Sequence, residues 1–178
     1  MADDRTFALP DSIIYRAYYV QQRRKKRKAG GIPAAITQVF INLEPTASAH
    51  YSLASPWVAA ADFEIEVDFA STASGSSQMI LGRLSTTFAF VRVTSAGRFS
   101  VRINNTTLDG AIAVNDGKLH TGKCTLNGTT LALFVDGVAD GTTTVAANES
   151  FDLIGAYNTP TNYFDGIISN VILTDITT

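Results

Sequence analysis

Short segments in which apolar and polar side chains alternate are the feature that most constrains the fold of this chain. In residues 63–69, four apolar residues alternate with three acidic ones. A period of two residues is typical of a β-strand with one face buried and the other in water. Similar runs follow at residues 78–84, 87–94, 98–103, 118–126, 130–136, 151–157 and 166–173. No helical period competes with them, so this part of the chain is predicted to be all-β.

The stretches between these runs carry the residues of tight turns. They contain Ala96-Gly97, Asn104-Asn105, Asp109-Gly110, Asp116-Gly117, Asn127-Gly128, Asp136-Gly137 and Asp140-Gly141. Asn-Gly and Asp-Gly pairs tolerate the positive φ angles of hairpin turns, so two such pairs flanking residues 129–135 predict a hairpin. Many short strands, with a turn about every eight to twelve residues, predict an antiparallel sandwich or barrel.

Four fragments in the second half of the chain resemble, in order, the motifs of one family. They are residues 116–120 (DGKLH), 131–137 (LALFVDG), 153–155 (LIG) and 164–172 (FDGIISNVI). They are similar to motifs of the laminin-G-like and pentraxin-like branch of the concanavalin A-like lectin and glucanase domains. The likeness covers about residues 57–176 and departs from the family at Leu119, where a tryptophan is usual. It implies a two-sheet antiparallel jelly-roll sandwich, and functions that range over carbohydrate, protein and calcium-dependent binding.

Charge is divided unevenly along the chain. Residues 1–30 hold eight Lys or Arg against three Asp, a net charge of +5, whereas residues 31–178 hold six against thirteen acidic residues, a net charge of −7. Six cations are adjacent, namely Arg23, Arg24, Lys25, Lys26, Arg27 and Lys28. The helix-breaking residues Gly30, Gly31 and Pro33 follow them. We therefore predict a basic N-terminal arm over residues 1–34 and a β-sandwich domain over residues 35–178.

The arm is predicted to anchor the chain to a partner. Residues 11–22 fit either a helix, with Tyr15, Tyr18 and Tyr19 on one side, or an extended aromatic strand. Together with the six cations, these tyrosines are the candidate anchoring residues. Docking to other proteins of a homo- or hetero-oligomeric assembly is the favoured role, while binding of nucleic-acid phosphates and a localisation tag are the alternatives.

Three alternating carboxylates in residues 63–69 are the only candidates for catalysis. Glu64, Glu66 and Asp68 share one face of a strand, and some jelly-roll glycosidases use carboxylates placed in this way. Those enzymes resemble Glu-x-Asp-x-x-Glu, however, and here the second catalytic glutamate has no counterpart. The sequence therefore predicts an ordinary solvated strand face and no enzymatic activity.

A sugar-binding loop is the main candidate for a ligand site. Tyr157, Asn158, Asn162 and Tyr163 combine aromatic rings with amide groups, which is the composition that sugar recognition needs. The loops also hold oxygen-bearing side chains suited to calcium, at Asp109, Asp116, Asp140, Asp152 and Asp165. Their spacing reproduces no known calcium loop, so no cofactor is expected and calcium is the alternative. Cys124 is predicted to be a core residue.

These features favour a non-enzymatic component of a virus particle, such as a bacteriophage capsid decoration, head fibre or tail accessory protein. In this hypothesis the arm anchors the chain and the lectin-like sandwich projects from the particle. The start of the chain lacks the pattern of a secretory signal, and no apolar run approaches the ~20 residues needed to cross a bilayer. The expected location is therefore the virion, after synthesis in the host cytoplasm. A carbohydrate-binding module is the alternative, with host or environmental glycans as partners, and a glycoside hydrolase is the third hypothesis.

Overall fold

The computed structural model describes residues 17–20, 36–41, 50–59, 61–84, 89–157 and 162–176. Within these residues every regular element is a β-strand, and no helix is present that is long and apolar enough to span a bilayer. The strands are β1 (Ala17–Val20), β2 (Ile36–Ile41), β3 (Tyr51–Ala59), β4 (Phe63–Ala70), β5 (Gln78–Gly82), β6 (Phe90–Val93), β7 (Arg98–Ile103), β8 (Thr106–Ala113), β9 (His120–Asn127), β10 (Thr130–Val135), β11 (Val138–Thr144), β12 (Glu149–Ile154) and β13 (Ile167–Asp175).

The strands form two antiparallel sheets. One has seven strands in the order β1-β2-β13-β4-β9-β10-β11, and the other has six in the order β3-β12-β5-β6-β7-β8. The prediction of an all-β, two-sheet sandwich is confirmed. Residues 17–20, which belong to the predicted arm, pair with β2 at the edge of the seven-stranded sheet. The sequence left a helix or a strand open for residues 11–22, and the described residues 17–20 form a strand.

Alternation places one side of each central strand in the core between the sheets. In β4 the four apolar residues are fully buried, while the carboxylates between them are half-buried. In β10, Leu131, Leu133 and Val135 all point inward. Aromatic rings join the two layers, since the rings of Phe69 in β4 and Phe99 in β7 stack with centroids 5.8 Å apart. Cys124 is buried among these side chains, and burial raises the pKa of its thiol to about 12, which confirms its role in the core.

Turn chemistry explains most of the hairpins. Asp136 and Gly137, between β10 and β11, have φ angles of 51° and 78°, and the Asn104-Asn105 turn is similar, with angles of 43° and 64°. Two adjacent residues with positive φ give the twist that tight hairpins need. The β9–β10 hairpin turns at Gly128, whose φ is 60°. The turns predicted at these pairs are confirmed.

Two of the predicted turns are instead inside strands. Asp109-Gly110 lies in the middle of β8, and Asp140-Gly141 lies in β11. The reason is a contact between the edges of the two sheets: Asp140 is buried, and its Oδ1 accepts hydrogen bonds from the backbone N–H groups of Ala111 (2.8 Å) and Ile112 (2.9 Å). A Cβ at Gly110 would lie 1.9 Å from Asp140 Oδ2, so glycine makes room for this carboxylate.

Candidate functional site

The outward side of the seven-stranded sheet carries a polar surface built from three neighbouring strands. We call it the acidic face. Its side chains are Glu64, Glu66 and Asp68 of β4, Thr121, Lys123 and Thr125 of β9, and Ala132 and Phe134 of β10. These positions are half-buried and alternate with buried core residues, so they point away from the core. Three carboxylates and one ammonium group give the acidic face a net charge of −2.

A cavity of about 330 Å³ lies on the acidic face. Its lining is formed by Glu66, Thr121, Lys123, Thr125, Phe134 and Gly137. Strand register explains how they meet, because Lys123 lies directly opposite Glu66 on one side and Phe134 on the other. The volume falls at the lower end of the range of ligand pockets, ~300–1,000 Å³. An aromatic ring, two hydroxyl groups, a carboxylate and an ammonium group therefore surround a space of small-ligand size.

Hydrogen bonds and ion pairs already engage most of the charged groups of this face. Lys123 Nζ lies 3.1 Å from Glu64 Oε2. Asp68 accepts hydrogen bonds from the Thr121 hydroxyl (2.6 Å) and from Asn170 Nδ2 (3.2 Å). Among the described residues, no hydrogen bond or ion pair engages the carboxylate of Glu66. Glu66 is therefore the charged group of the cavity that remains available to a ligand.

The three carboxylates do not form an acid/base pair inside the cavity. Only Glu66 lines it, whereas Glu64 and Asp68 are held by the contacts just described. Glycoside hydrolysis needs two carboxyl groups facing one substrate, about 5–5.5 Å apart in retaining enzymes and farther apart in inverting ones. The arrangement is suited to hydrogen bonding of a ligand.

A buried histidine forms hydrogen bonds at the end of the site where β9 begins and β10 ends. His120 lies with Nδ1 2.8 Å from Asp136 Oδ2 and Nε2 2.9 Å from Asp116 Oδ1. Asp136 Oδ1 also accepts the backbone N–H of Thr121 (2.8 Å), a cavity residue, and the Lys118 ammonium lies 3.0 Å from Asp116 Oδ2. Burial lowers the pKa of His120, but the hydrogen bonds and charges of the two carboxylates outweigh burial and raise the pKa above its usual value.

Stability is expected to fall when His120 loses its proton. Because its pKa is raised in the folded state, the stabilisation is fully present below about pH 6.5, the unfolded value, and is lost as the pH rises through the folded value. Urea midpoints of the unsubstituted chain should decrease as the pH rises above about 6.5. His120→Gln should reduce this decrease. An equal decrease in His120→Gln would contradict the assignment.

The predicted sugar-binding loop is only partly within the described residues. The Tyr157 ring packs edge-on against Phe90, with centroids 6.0 Å apart, and the Tyr163 ring lies 5.9 Å from that of His50. The backbone carbonyl of Asn162 accepts a hydrogen bond from the N–H of Met79 (3.0 Å). Asn158 lies outside the described residues. The two tyrosines thus contact different partners, and sugar binding by this loop stays a prediction.

The predicted anchoring residues lie outside the described side chains. Tyr18 and Tyr19 belong to β1, whereas Tyr15 and the cations at 23–28 fall outside the described residues. Their anchoring role therefore stays a prediction.

Most of the aspartates considered for calcium make contacts within the protein. Asp116 contacts Lys118 and His120, Asp152 Oδ1 accepts the backbone N–H of Leu84 (2.6 Å), and Asp109 pairs with Arg92 (3.6 Å). In the part of the chain that the structure describes, no group of three or more His, Cys, Asp or Glu side chains is placed to hold a metal ion.

Sequence reasoning identified Glu66 but missed the residues that surround it. Thr121, Lys123, Thr125 and Phe134 were not singled out, although a signal for part of this arrangement exists. A two-residue turn at Gly128 and Thr129 fixes the register of the hairpin, and this register pairs Lys123 with Phe134. The pairing of β4 with β9, which brings Glu66 to them, joins distant parts of the chain and has no local signal.

Comparisons with known proteins agree with this architecture. The family model described as the concanavalin A-like lectin/glucanases superfamily (Laminin_G_3) matches residues 45–177. A search of curated protein sequences found no match.

Several solved structures share the fold at low sequence identity. The CBM40 module of the Ruminococcus gnavus IT-sialidase, bound to α2,3-sialyllactose, is 17% identical, with a TM-score of 0.61 over 76% of this chain and 89% of that one. The heptameric SAP-like pentraxin of Limulus polyphemus is 11% identical, with a TM-score of 0.54 over 80% and 77%. Domains LG4-5 of the mouse laminin α1 chain are 17% identical, with a TM-score of 0.50 over 75% and 44%. At such identities the likeness shows the fold alone.

Proposed function

Because this chain belongs to the concanavalin A-like lectin/glucanases superfamily, we propose that it is a non-catalytic carbohydrate-binding domain. The sugar is held in the cavity of the acidic face. The lectin-like fold supports a binding role of this kind, and the similar sialidase module is a carbohydrate-binding one. Since function belongs to the site rather than to the fold, the proposal depends on the residues of the cavity.

The observation that carries the proposal is the position of Phe134 among hydrogen-bonding side chains. Its ring is half-buried and lines the cavity together with Glu66, Lys123 and the hydroxyls of Thr121 and Thr125. Sugars present apolar C–H faces and a rim of hydroxyl groups. The Phe134 ring can stack on the apolar face, and the carboxylate, ammonium and hydroxyl groups can form hydrogen bonds with the rim. The cavity therefore meets both requirements.

Phe134→Ala is expected to weaken glycan binding by about ten-fold, or about 1.4 kcal/mol, because the sugar loses both the apolar area that it buries against the ring and the stacking contact. A glycan array probed with the full chain identifies a ligand, and titration calorimetry measures the loss. Thr130→Ala, on the same strand but outside the cavity lining, is the matched control and should bind normally. A blank array would overturn the proposed function.

Tyr163→Ala distinguishes this site from the predicted loop. Binding that survives Tyr163→Ala and is lost in Phe134→Ala assigns the sugar to the acidic face. The opposite result assigns the sugar to the loop that contains Tyr157, Asn162 and Tyr163. In that case the chain binds carbohydrate, but at a different site.

A role as a displayed component of a virus particle is the second candidate function. The run of six cations at residues 23–28 favours it, because such a block binds an acidic partner readily. Replacing the six cations at residues 23–28 by glutamine should abolish incorporation into particles while leaving glycan binding intact. Normal incorporation of this variant would count against the role.

A further inference from the structure

We propose that the cavity selects sugars by charge: it takes amino sugars and neutral sugars and rejects acidic ones. This inference rests on the proposed function and names the ligand class of the same site. Its basis is the distribution of charge on the two outer surfaces of the sandwich.

Inside the cavity, the positive charge of Lys123 is already paired with a carboxylate, whereas among the described residues the negative charge of Glu66 is not paired. The ammonium group of Lys123 is 3.1 Å from the carboxylate of Glu64, which neutralises it. In the described part of the chain, Glu66 has no such partner, although it lies directly opposite Lys123 in the strand register. A bound sugar therefore meets an open carboxylate on a surface whose net charge is −2.

The hydrogen-bonding chemistry of the lining agrees with this assignment. A carboxylate only accepts hydrogen bonds, so Glu66 suits the O–H groups of a neutral sugar and, more strongly, the ammonium group of an amino sugar. The Thr121 hydroxyl already donates its hydrogen to Asp68, so this hydroxyl can only accept a hydrogen bond from a ligand. An acidic sugar would bring a carboxylate or sulfate close to Glu66 and Asp68, and like charges in a partly desolvated site repel one another.

Part of the opposite surface of the sandwich carries the reverse charge. On the outward side of β6, β7 and β8, Arg92, Arg98 and Arg102 stand against Asp109, which gives these three strands a net charge of +2. The guanidinium groups of Arg92 and Arg102 lie 4.5 Å and 5.9 Å from the centroid of the Phe90 ring. An acidic glycan is therefore attracted to a surface that the core separates from the cavity. Among the described residues, the cation of the cavity lining is Lys123, which is already paired with Glu64.

The test compares matched glycans on the full chain. The probes are β-1,4-linked glucose oligosaccharides, their glucosamine counterparts and their C6-carboxylate counterparts, together with an array of neutral, amino, uronic, sialylated and sulfated glycans. Within any series that binds, the acidic member should bind at least about ten-fold more weakly than the neutral one and the amino member more tightly. The differences should shrink between low and high salt because charges near the surface are screened.

Glu66→Gln assigns the selectivity to one carboxylate. It removes the charge with little change of shape, and it should raise the binding of the acidic member relative to the neutral one by about ten-fold. Asp109→Asn, on the opposite surface, is the control and should leave the ratio unchanged. An unchanged ratio in Glu66→Gln, or tighter binding of acidic glycans by the unsubstituted chain, overturns the inference while leaving carbohydrate binding in place. If no glycan binds at all, the proposed function fails, and the inference fails with it.

Discussion

Phe99→Ala is expected to lower the free energy of unfolding by about 3–5 kcal/mol, the range for large-to-small changes at fully buried aromatic positions. Phe99 is completely buried, and its ring stacks on Phe69 of the other sheet at an interplanar angle of 18°. It also lies over Gly122, where a Cβ would come within 2.6 Å of the ring. The ring thus fills the space that glycine leaves, and its removal opens a cavity between the sheets.

Urea unfolding followed by circular dichroism measures this loss. Phe134→Ala is the matched control, because the same atoms are removed from a half-buried position on the acidic face. It should cost less than about 1 kcal/mol, as most substitutions outside the core do. The pair also shows that weaker sugar binding in Phe134→Ala is not a consequence of unfolding. A cost below about 1 kcal/mol for Phe99→Ala would contradict the packing described here.

Gly82→Ala is expected to cost about 3 kcal/mol, the upper part of the usual range for overpacking. A Cβ at this position would lie 2.3 Å from the carbonyl oxygen of Ala156 and 3.0 Å from Cα of Tyr157. Both are backbone atoms, so no side chain can rotate away. The segment is held in place because the N–H of Gly155 donates to the carbonyl of Ile80 (2.8 Å). The substitution must therefore move β5 away from this segment.

Gly128→Ala serves as the comparison for Gly82→Ala. Gly128 has a φ of 60° and no atom within 4 Å of an added Cβ, so its substitution costs about 1 kcal/mol for the left-handed backbone alone. Thermal unfolding of the two variants should show the larger decrease in midpoint for Gly82→Ala. Equal decreases in the two midpoints would mean that the backbone of residues 155–157 moves away from an added Cβ at little cost. The backbone contacts of this segment predict the opposite.

Local patterns in the sequence were sufficient to predict the strands whose two faces differ. β4, β9 and β10 alternate cleanly, and the structure buries their apolar sides. β8 escaped prediction because Asp109-Gly110 has the composition of a turn, yet the backbone there is extended. The cause is Asp140, some 30 residues away: its carboxylate binds the two N–H groups that follow Gly110. A contact of this kind leaves no trace in a short window of sequence.

The candidate site shows the same limit. The alternating pattern identified Glu64, Glu66 and Asp68 as outward-facing residues. It could not show which of the three carboxylates lacks a hydrogen bond or ion pair within the described residues. The ion pair of Glu64 and the hydrogen bonds of Asp68 decide this, and they come from β9 and β13, more than 50 residues farther along the chain. Alternation with Leu133 and Val135 places Phe134 on the outward side, but it does not show that the ring lines a cavity. The cavity depends on the pairing of β4 with β9, which joins distant parts of the chain.

The contact between Asp140 and β8 has a further consequence for how copies of this domain behave when crowded. β8 and β11 are the terminal strands of their sheets, and unpaired terminal strands invite pairing with another molecule. By accepting the N–H groups of Ala111 and Ile112, one carboxylate occupies donors that a foreign strand would otherwise use. This border of the sandwich is thus less open to strand pairing with a second copy of the domain than two bare terminal strands would be.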